Sequence, residues 1–272
     1  MAVGKIIFKE DIPDSMEAEV IATEILGLAR PLYVLRNLTR VIQFDGISGK
    51  VPIATKLSGT EKVKAGVEAP INGQAYTDVD FDLWKNVVHI AVSLEATLKS
   101  KFNIIQLQTT DASKAVAKME DDQVAVVVAT LTAISGTDWA TATNDPLYDI
   151  RKAIAAIEDE GYEPDAIAMS RSVYSAFVSN PFVRESYERG QLVQGQLPSI
   201  LGLTLYLSTS ITAKTAAVVD TTAPCMALAD GPMAVENYNK DGAFVQGWAM
   251  GKFVEPKLVL SAAGRQLTGL LP

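Results

Sequence analysis

Few side chains in this sequence have the type and spacing that chemistry requires. One histidine, His89, stands in the apolar run VVHIAV. A general base needs a pocket and an orienting partner. The apolar neighbours point instead to a strand histidine, hydrogen-bonded or at an interface. The single cysteine, Cys225, follows Pro224 in TTAPCMALAD. With no basic cluster nearby to favour a thiolate, it reads as a small buried apolar residue. One residue of each type excludes disulfide frameworks, multi-cysteine zinc or iron–sulfur sites and paired-histidine metal motifs. Two acidic runs, Glu120-Asp121-Asp122 and Glu158-Asp159-Glu160, have the residue type for glycoside or metal chemistry. Adjacent carboxylates within a helix or at its end read as a solvated face. Gly46-Ile-Ser-Gly49-Lys50 lacks the spacer and the terminal Ser/Thr of a phosphate loop and reads as a turn. Asn37-Leu-Thr39 fits a glycosylation sequon, which carries meaning only after secretion. Tyr174, Phe177, Phe182 and Tyr187 read as core or interface packing. No catalytic residue, cofactor or metal is expected.

Composition agrees with a packed globular protein and not with a disordered one. Of 272 residues, 48% are hydrophobic and 21% charged, enough to bury a sizeable core. The formal net charge of −8 opposes tight, sequence-independent nucleic-acid binding. The opening MAVGKIIFKEDIPD reaches acidic residues too soon for a secretory signal. Residues 124–137 are too short for a membrane span, and 194–213 are broken by Pro198 and Gly202. The expectation is a soluble intracellular product with no membrane partner.

The elements that would position these residues follow from periodicity. Residues 16–35 carry Val20, Ile21, Ile25, Leu28 and Leu32 at helical spacing, with Asp14 or Ser15 as N-cap and Pro31 as terminator or kink. RVIQF reads as a strand and Asp45-Gly46 as a turn. From Gly46 to Lys85 the texture is Gly-, Thr- and Val-rich, with strand-like EKVKAGV and YTDVDFDLW and a turn at Pro70-Ile-Asn-Gly73. Such a stretch cannot bury itself. It fits a long projecting hairpin covered by a neighbouring copy. WKNVVHIAVS reads as a strand, and Ser93 caps a short helix, LEATLKSKF. A long helix is expected from Thr110 or Asp111 to about Ile134, followed by a loop over 135–144. Asn144 or Asp145 caps a helix with Pro146 at its first position and Gly161 at its end. AIAM is a buried strand, and Ser170 caps a helix stopped by Pro181. The stretch from Phe182 to Ser199 is polar and expected to be mobile. ILGLTLYLST, AKTAAVVDT, MALADGPMAVENYN, GAFVQGWAMGKFV and PKLVLSAAG are each expected as strands.

This order resembles the major capsid proteins of tailed phages, the Hong Kong 97-like family. KAGVEAPINGQAYTDVDFDLWKNVVHIAVSLEATLKS is similar to that family's extended loop and its return, with Glu68 before the turn, Lys85 before the strand, and Ser93 and Glu95 opening the next helix. Residues 111–134 resemble its spine helix, and DAIAMSRSVYSAFVSNPF and LPSILGLTLYLST its axial domain. ALADGPMAVENYN and WAMGKFVEPKLVLSAAG resemble its closing strands. The resemblance implies an α+β fold in four parts. These are an N-terminal arm (1–37), an extended β-hairpin loop (46–86), a peripheral domain with the spine helix (38–45, 87–140 and 230–272) and an axial α/β domain (141–229). It implies a non-enzymatic shell protein that assembles with copies of itself, as pentamers and hexamers, into an icosahedral container for double-stranded DNA. Localisation would be the virion, with assembly in the host cytoplasm. A separate scaffolding protein, a portal and a decoration protein are possible partners, and packaged DNA would be enclosed without specific recognition. The 1–37 arm is too short to hold the scaffolding segment of some members, so that segment is absent, removed or supplied by another protein. Lys56, Lys62 and Lys64 lie in the hairpin, but no partner Asn or Glu matches, and no crosslink is expected. Intersubunit contacts are expected at Ile6 and Phe8 of the arm, at Glu68, Tyr76 and Trp84 of the hairpin, and at Arg189 and Gln191 of an axial loop spanning 185–196. Two other readings stay open: an encapsulin-like nanocompartment around an enzyme cargo, and a small α/β enzyme for a phosphorylated or acidic substrate.

Overall fold

A computed structural model describes residues 23, 25, 27–29, 32–54, 62, 64, 68, 73, 76–93, 104–186, 199–223, 225–240 and 245–272. The helix expected over 16–35 is seen at Thr23, Ile25 and 27–29, which are helical. The chain then tightens into a 3-10 turn, Leu35–Leu38. Thr39 closes that turn, its N–H and hydroxyl both donating to the Arg36 carbonyl at 3.1 and 2.8 Å. Strand β1 (Arg40–Gln43) follows, then β2 (Ser48–Ala54) and β3 (Tyr76–Asp82), and β4 (Trp84–Ser93) spans the expected WKNVVHIAVS. The expected EKVKAGV strand and LEATLKSKF helix fall almost wholly outside the described residues.

The long helix α1 runs Ile104–Val128. It starts earlier than expected because Thr110 and Asp111 are absorbed into it rather than capping it. Ser113 donates to the Thr110 carbonyl at 2.6 Å, and Lys114 meets Asp111 at 3.2 Å. It also ends earlier. The N–H groups of Thr130 and Leu131 turn to carbonyls three residues back, at 2.9 and 3.2 Å, and the last turn tightens out of the helix. Ile134, expected at the helix end, lies in strand β5 (Ala133–Ser135).

Helix α2 (Pro146–Glu158) begins as the sequence predicts, with the Asp145 carboxylate accepting from Leu147 N–H and Pro146 at the first position. Gly161, at φ +75°, takes the left-handed conformation after its end. Strand β6 (Ala166–Met169) is fully buried, and Ser170 caps α3 (Arg171–Ser179) by accepting from Val173 N–H at 3.3 Å. The helix ends before Pro181 as expected, with Asn180 extended at its C-cap, but Pro181 does more than stop it. It opens another helix, α4 (Pro181–Ser186), because Asn180 accepts from Phe182 N–H at 3.0 Å. ILGLTLYLST is two strands, β7 (Ser199–Ile200) and β8 (Leu203–Leu207), joined by Leu201 at φ +51° and Gly202 at φ +85°. Two positive φ values match the twist of a two-residue hairpin. Strands β9 (Ala216–Val219), β10 (Met226–Lys240) and β11 (Val245–Leu258) follow. Residues 256–258, expected in a separate strand, complete β11. A 3-10 turn, Ser261–Ala263, then leads to β12 (Gly264–Thr268), which was not anticipated.

Among the described residues, three sheets result. One has the order β1-β10-β11-β4, one β5-β12-β9-β6-β8-β7, and β2-β3 stand as a pair. In the six-stranded sheet the central strands are covered on both faces. Ile167, Met169, Ala216 and Val218 face α2 and α3, with Ile150, Ile157 and Phe177. Ala166, Ala168, Ala217 and Val219 face the end of α1, with Val124 and Val128. Ile25, Ala29 and Tyr33 pack the N-terminal segment against Val116 of α1, Ile90 of β4 and Met250 of β11.

Candidate intersubunit surfaces and the buried ion cluster

The β2–β3 ribbon is amphipathic. Its register pairs Val51 with Val79 and Gly49 with Phe81, which places an apolar row on one face. Lys50, Asp78, Asp80 and Asp82 occupy the other face, where Lys50 meets Asp80 at 3.1 Å. The ribbon adds to neither of the larger sheets, and an isolated pair of strands is marginally stable in water. Among its described residues the root is the seated part, with the Val51–Val79 pair packed against it. Phe81 and Leu83 are buried on Ala227 and Ala229 of β10, and a Cβ at Gly231 would lie 2.4 Å from Leu83 Cδ2. The Glu255 carboxylate accepts from Asp82 N–H at 2.5 Å, and Lys257 Nζ donates to the Asp80 carbonyl at 2.5 Å. Both grips hold backbone, so they fix the root whatever side chains the ribbon carries.

Of the residues singled out from sequence, Tyr76 is 67% exposed at the last described pair of the ribbon, and Trp84 is 71% exposed at the start of β4. Glu68 is exposed. Ile6, Phe8, Arg189 and Gln191 lie outside the described residues. The structure adds three large apolar side chains that periodicity did not single out: Ile47 at 59% exposure, Val126 at 68% and Tyr148 at 64%. Aromatic side chains left in water at this level are what interfaces cover.

His89 lies exposed on the edge strand β4, opposite Ala249. Cys225 is 1% exposed, and burial, with Asp220 nearby, pushes its thiol up to about 12, which keeps it protonated and inert. Glu158, Asp159 and Glu160 form the expected solvated face. Phe177 is core, while Phe182 is 40% exposed. Tyr187 lies outside the described residues.

The Glu120 run departs from expectation. Glu120 is 1% exposed and Asp121 5%. Arg36 reaches Glu120 with one guanidinium nitrogen and Asp230 of β10 with the other, the latter at 2.6 Å. Lys252 of β11 meets Glu120 at 2.8 Å and Asp230 at 3.2 Å. Tyr33 donates its hydroxyl to Glu120 at 3.1 Å, and burial and Glu120 together raise the phenol's pKa. Asp121 accepts the backbone N–H groups of Val34, Leu35 and Arg36 at 3.0, 3.0 and 3.1 Å. A solvated face was the wrong reading because the cations that neutralise these carboxylates come from other elements. A cleft of about 390 Å³ opens beside the cluster, and the cluster's charges are engaged with one another rather than converging on it. Among the described residues, no three His, Cys, Asp or Glu side chains are grouped to hold a metal ion, and no helix is long and apolar enough to cross a membrane.

Comparison with known proteins assigns this architecture to a class. The capsid of cyanophage P-SCSP1u aligns with 88% of this chain and 89% of its own at TM-score 0.70 and 15% identity. A Mycobacterium phage Che8 structure aligns over 86% and 90% at TM-score 0.68 and 14% identity. A virus-like particle from Pyrococcus furiosus aligns over 92% and 99% at TM-score 0.64 and 13% identity. The fold is the Hong Kong 97-like shell fold. No curated protein matches. The family model described as phage capsid protein matches residues 90–262, well over half the chain. The chain belongs to the phage capsid protein family. Its place is the virion shell, and the family match favours a viral capsid over a nanocompartment. The match begins inside β4, so the ribbon lies outside it.

Proposed function

We propose that copies of this chain assemble through pentamers and hexamers into an icosahedral shell around a double-stranded DNA genome, in the host cytoplasm and without catalytic activity of the subunit itself. The observation that carries this reading is Tyr76, 67% exposed in the single subunit at the last described pair of a ribbon that joins neither larger sheet, together with Trp84, 71% exposed beside the ribbon's root. Burying two such side chains on a neighbour removes about 150–250 Å² each from water. In this reading the ribbon, with Glu68, Tyr76 and Trp84, lies on an adjoining copy. The arm around Ile6 and Phe8 reaches another, and the 185–196 loop, with Arg189 and Gln191, lines the five- or sixfold centre. The arm (1–37), hairpin (46–86), axial domain (141–229) and remaining peripheral domain act as separate contact units of one subunit. A separate scaffolding protein, a portal and a decoration protein complete the particle.

The purified protein should form uniform hollow spheres under negative stain. Shells that hold nucleic acid support the genome container, and shells that hold an enzyme cargo identify a nanocompartment. Ala54 pairs directly with Tyr76, so residues 55–75 can be replaced by an Asn-Gly turn without breaking register. That variant should keep wild-type far-UV circular dichroism and remain unassembled. Normal shells from it would refute the role of the ribbon.

A further inference from the structure

The ion cluster sits where the N-terminal segment enters the body, and four elements meet there: the 33–38 segment, α1, β10 and β11. Its apolar neighbours Ile25, Ala29 and Tyr33 hold the segment against α1 without directional preference. The ions are directional. The Arg36 fork engages two carboxylates on different elements, Glu120 on α1 and Asp230 on β10. Lys252 on β11 engages the same two. Asp121 binds three successive backbone N–H groups, so it reads the path of the chain rather than a side chain. Together these bonds tie the segment to α1 and β10 at once, with directional geometry. Buried ion pairs are poor sources of stability, because apolar residues of like volume hold elements together as well or better. Four charges at one junction, Glu120, Asp230 and Lys252 buried and Arg36 half-buried, therefore point to a task other than stability.

On the shell-protein reading, we propose that Arg36, Glu120, Asp230 and Lys252 form a positioning device. It fixes the direction in which the N-terminal segment leaves the body and thereby the uniformity of the assembled shell. A closed shell repeats each interface many times, so a small angular spread in one arm becomes a spread in curvature.

Two variants separate this role from folding. The first replaces the cluster with apolar side chains: Arg36→Met, Glu120→Leu, Asp230→Leu and Lys252→Met together. The second is Arg36→Lys, which keeps the charge but loses the fork. Subunit melting is followed by circular dichroism and particle diameters by negative stain. The expected result is a melting midpoint equal to or above wild type for the apolar variant and close to it for Arg36→Lys. Both should give a diameter distribution at least about twice as broad, with open shells among the closed ones. Shells of wild-type uniformity from either folded variant overturn the proposal. If the apolar variant does not fold, Arg36→Lys decides alone. Wild-type protein that forms no shells under the same conditions overturns the shell reading and this inference with it, whereas uniform wild-type and variant shells overturn this inference only.

Discussion

Asp121 and Asp230 belong to one cluster and are pushed in opposite directions. Burial raises the Asp121 pKa above the usual carboxylate range, even against its three backbone donors. Burial also pushes Asp230 up, but Lys252 and Arg36 outweigh it and hold the group below that range. A raised carboxyl contributes stability when protonated, and that contribution is lost as pH rises through its folded pKa. A lowered one contributes stability above its unfolded pKa, and this is lost as pH falls through the lower folded value. Asp121 and Asp230 should therefore cause no loss of stability as pH falls from neutral toward the ordinary carboxylate range, and Asp230 a loss below about pH 4, where the unfolded chain takes up a proton that folded Asp230 still refuses. Melting temperatures measured across this range should lose that acid limb in Asp230→Asn. A limb unchanged in the variant would assign it to other carboxylates. Part of this cluster was legible in the sequence. Glu120 stands four residues from Val116 and four from Val124, both buried, so the helical period places it on the apolar stripe. Its cations were not legible, because Arg36 and Lys252 come from elements 84 and 132 residues away, and spacing carries no information at that range.

At the scale of elements, caps and terminators were read well where one side chain does the work. Asp145, Pro146, Gly161 and Ser170 act as the sequence predicts. The errors fell where tertiary pairing overrides a local signal. Thr110 and Asp111 resemble a cap but are carried inside α1, and Ile134 leaves the helix pattern because β12 offers it a parallel partner, Leu267. The β7–β8 turn was missed because Leu201 is an unusual residue for positive φ. Gly202, at φ +85°, should be intolerant there. Gly202→Ala should cost about 1–2 kcal/mol in chemical denaturation, and an unchanged midpoint would mean that the turn re-forms differently. In the core beneath α2 and α3, Phe177 is fully buried and stacks obliquely on Trp139 at 5.6 Å. Phe177→Ala should cost about 3–5 kcal/mol on the same assay. A smaller loss would show that α2 and α3 collapse into the space.

For the whole molecule, the net charge of −8 and the reading of a passive container make one demand on behaviour toward nucleic acid. Counterion release from phosphates needs clustered Lys and Arg, so the free subunit should not retard duplex DNA on a gel at physiological salt. Strong retardation that collapses with added salt would reveal a basic surface and a direct role in condensing the genome. The assembly function itself was legible only as an order of elements, since no side chain of a shell protein has to meet a substrate.

The seat of the ribbon is made late. Phe81 and Leu83 rest on Ala227 and Ala229, and β1 pairs in parallel with the same strand, Arg40 against Ala227. Contacts so distant along the chain form slowly, and on a ribosome they cannot form until most of the polypeptide has emerged. A truncated product has its ribbon but nowhere to anchor it. On the reading that the ribbon lies on a neighbour, a chain that stops before β10 is expected not to join the lattice.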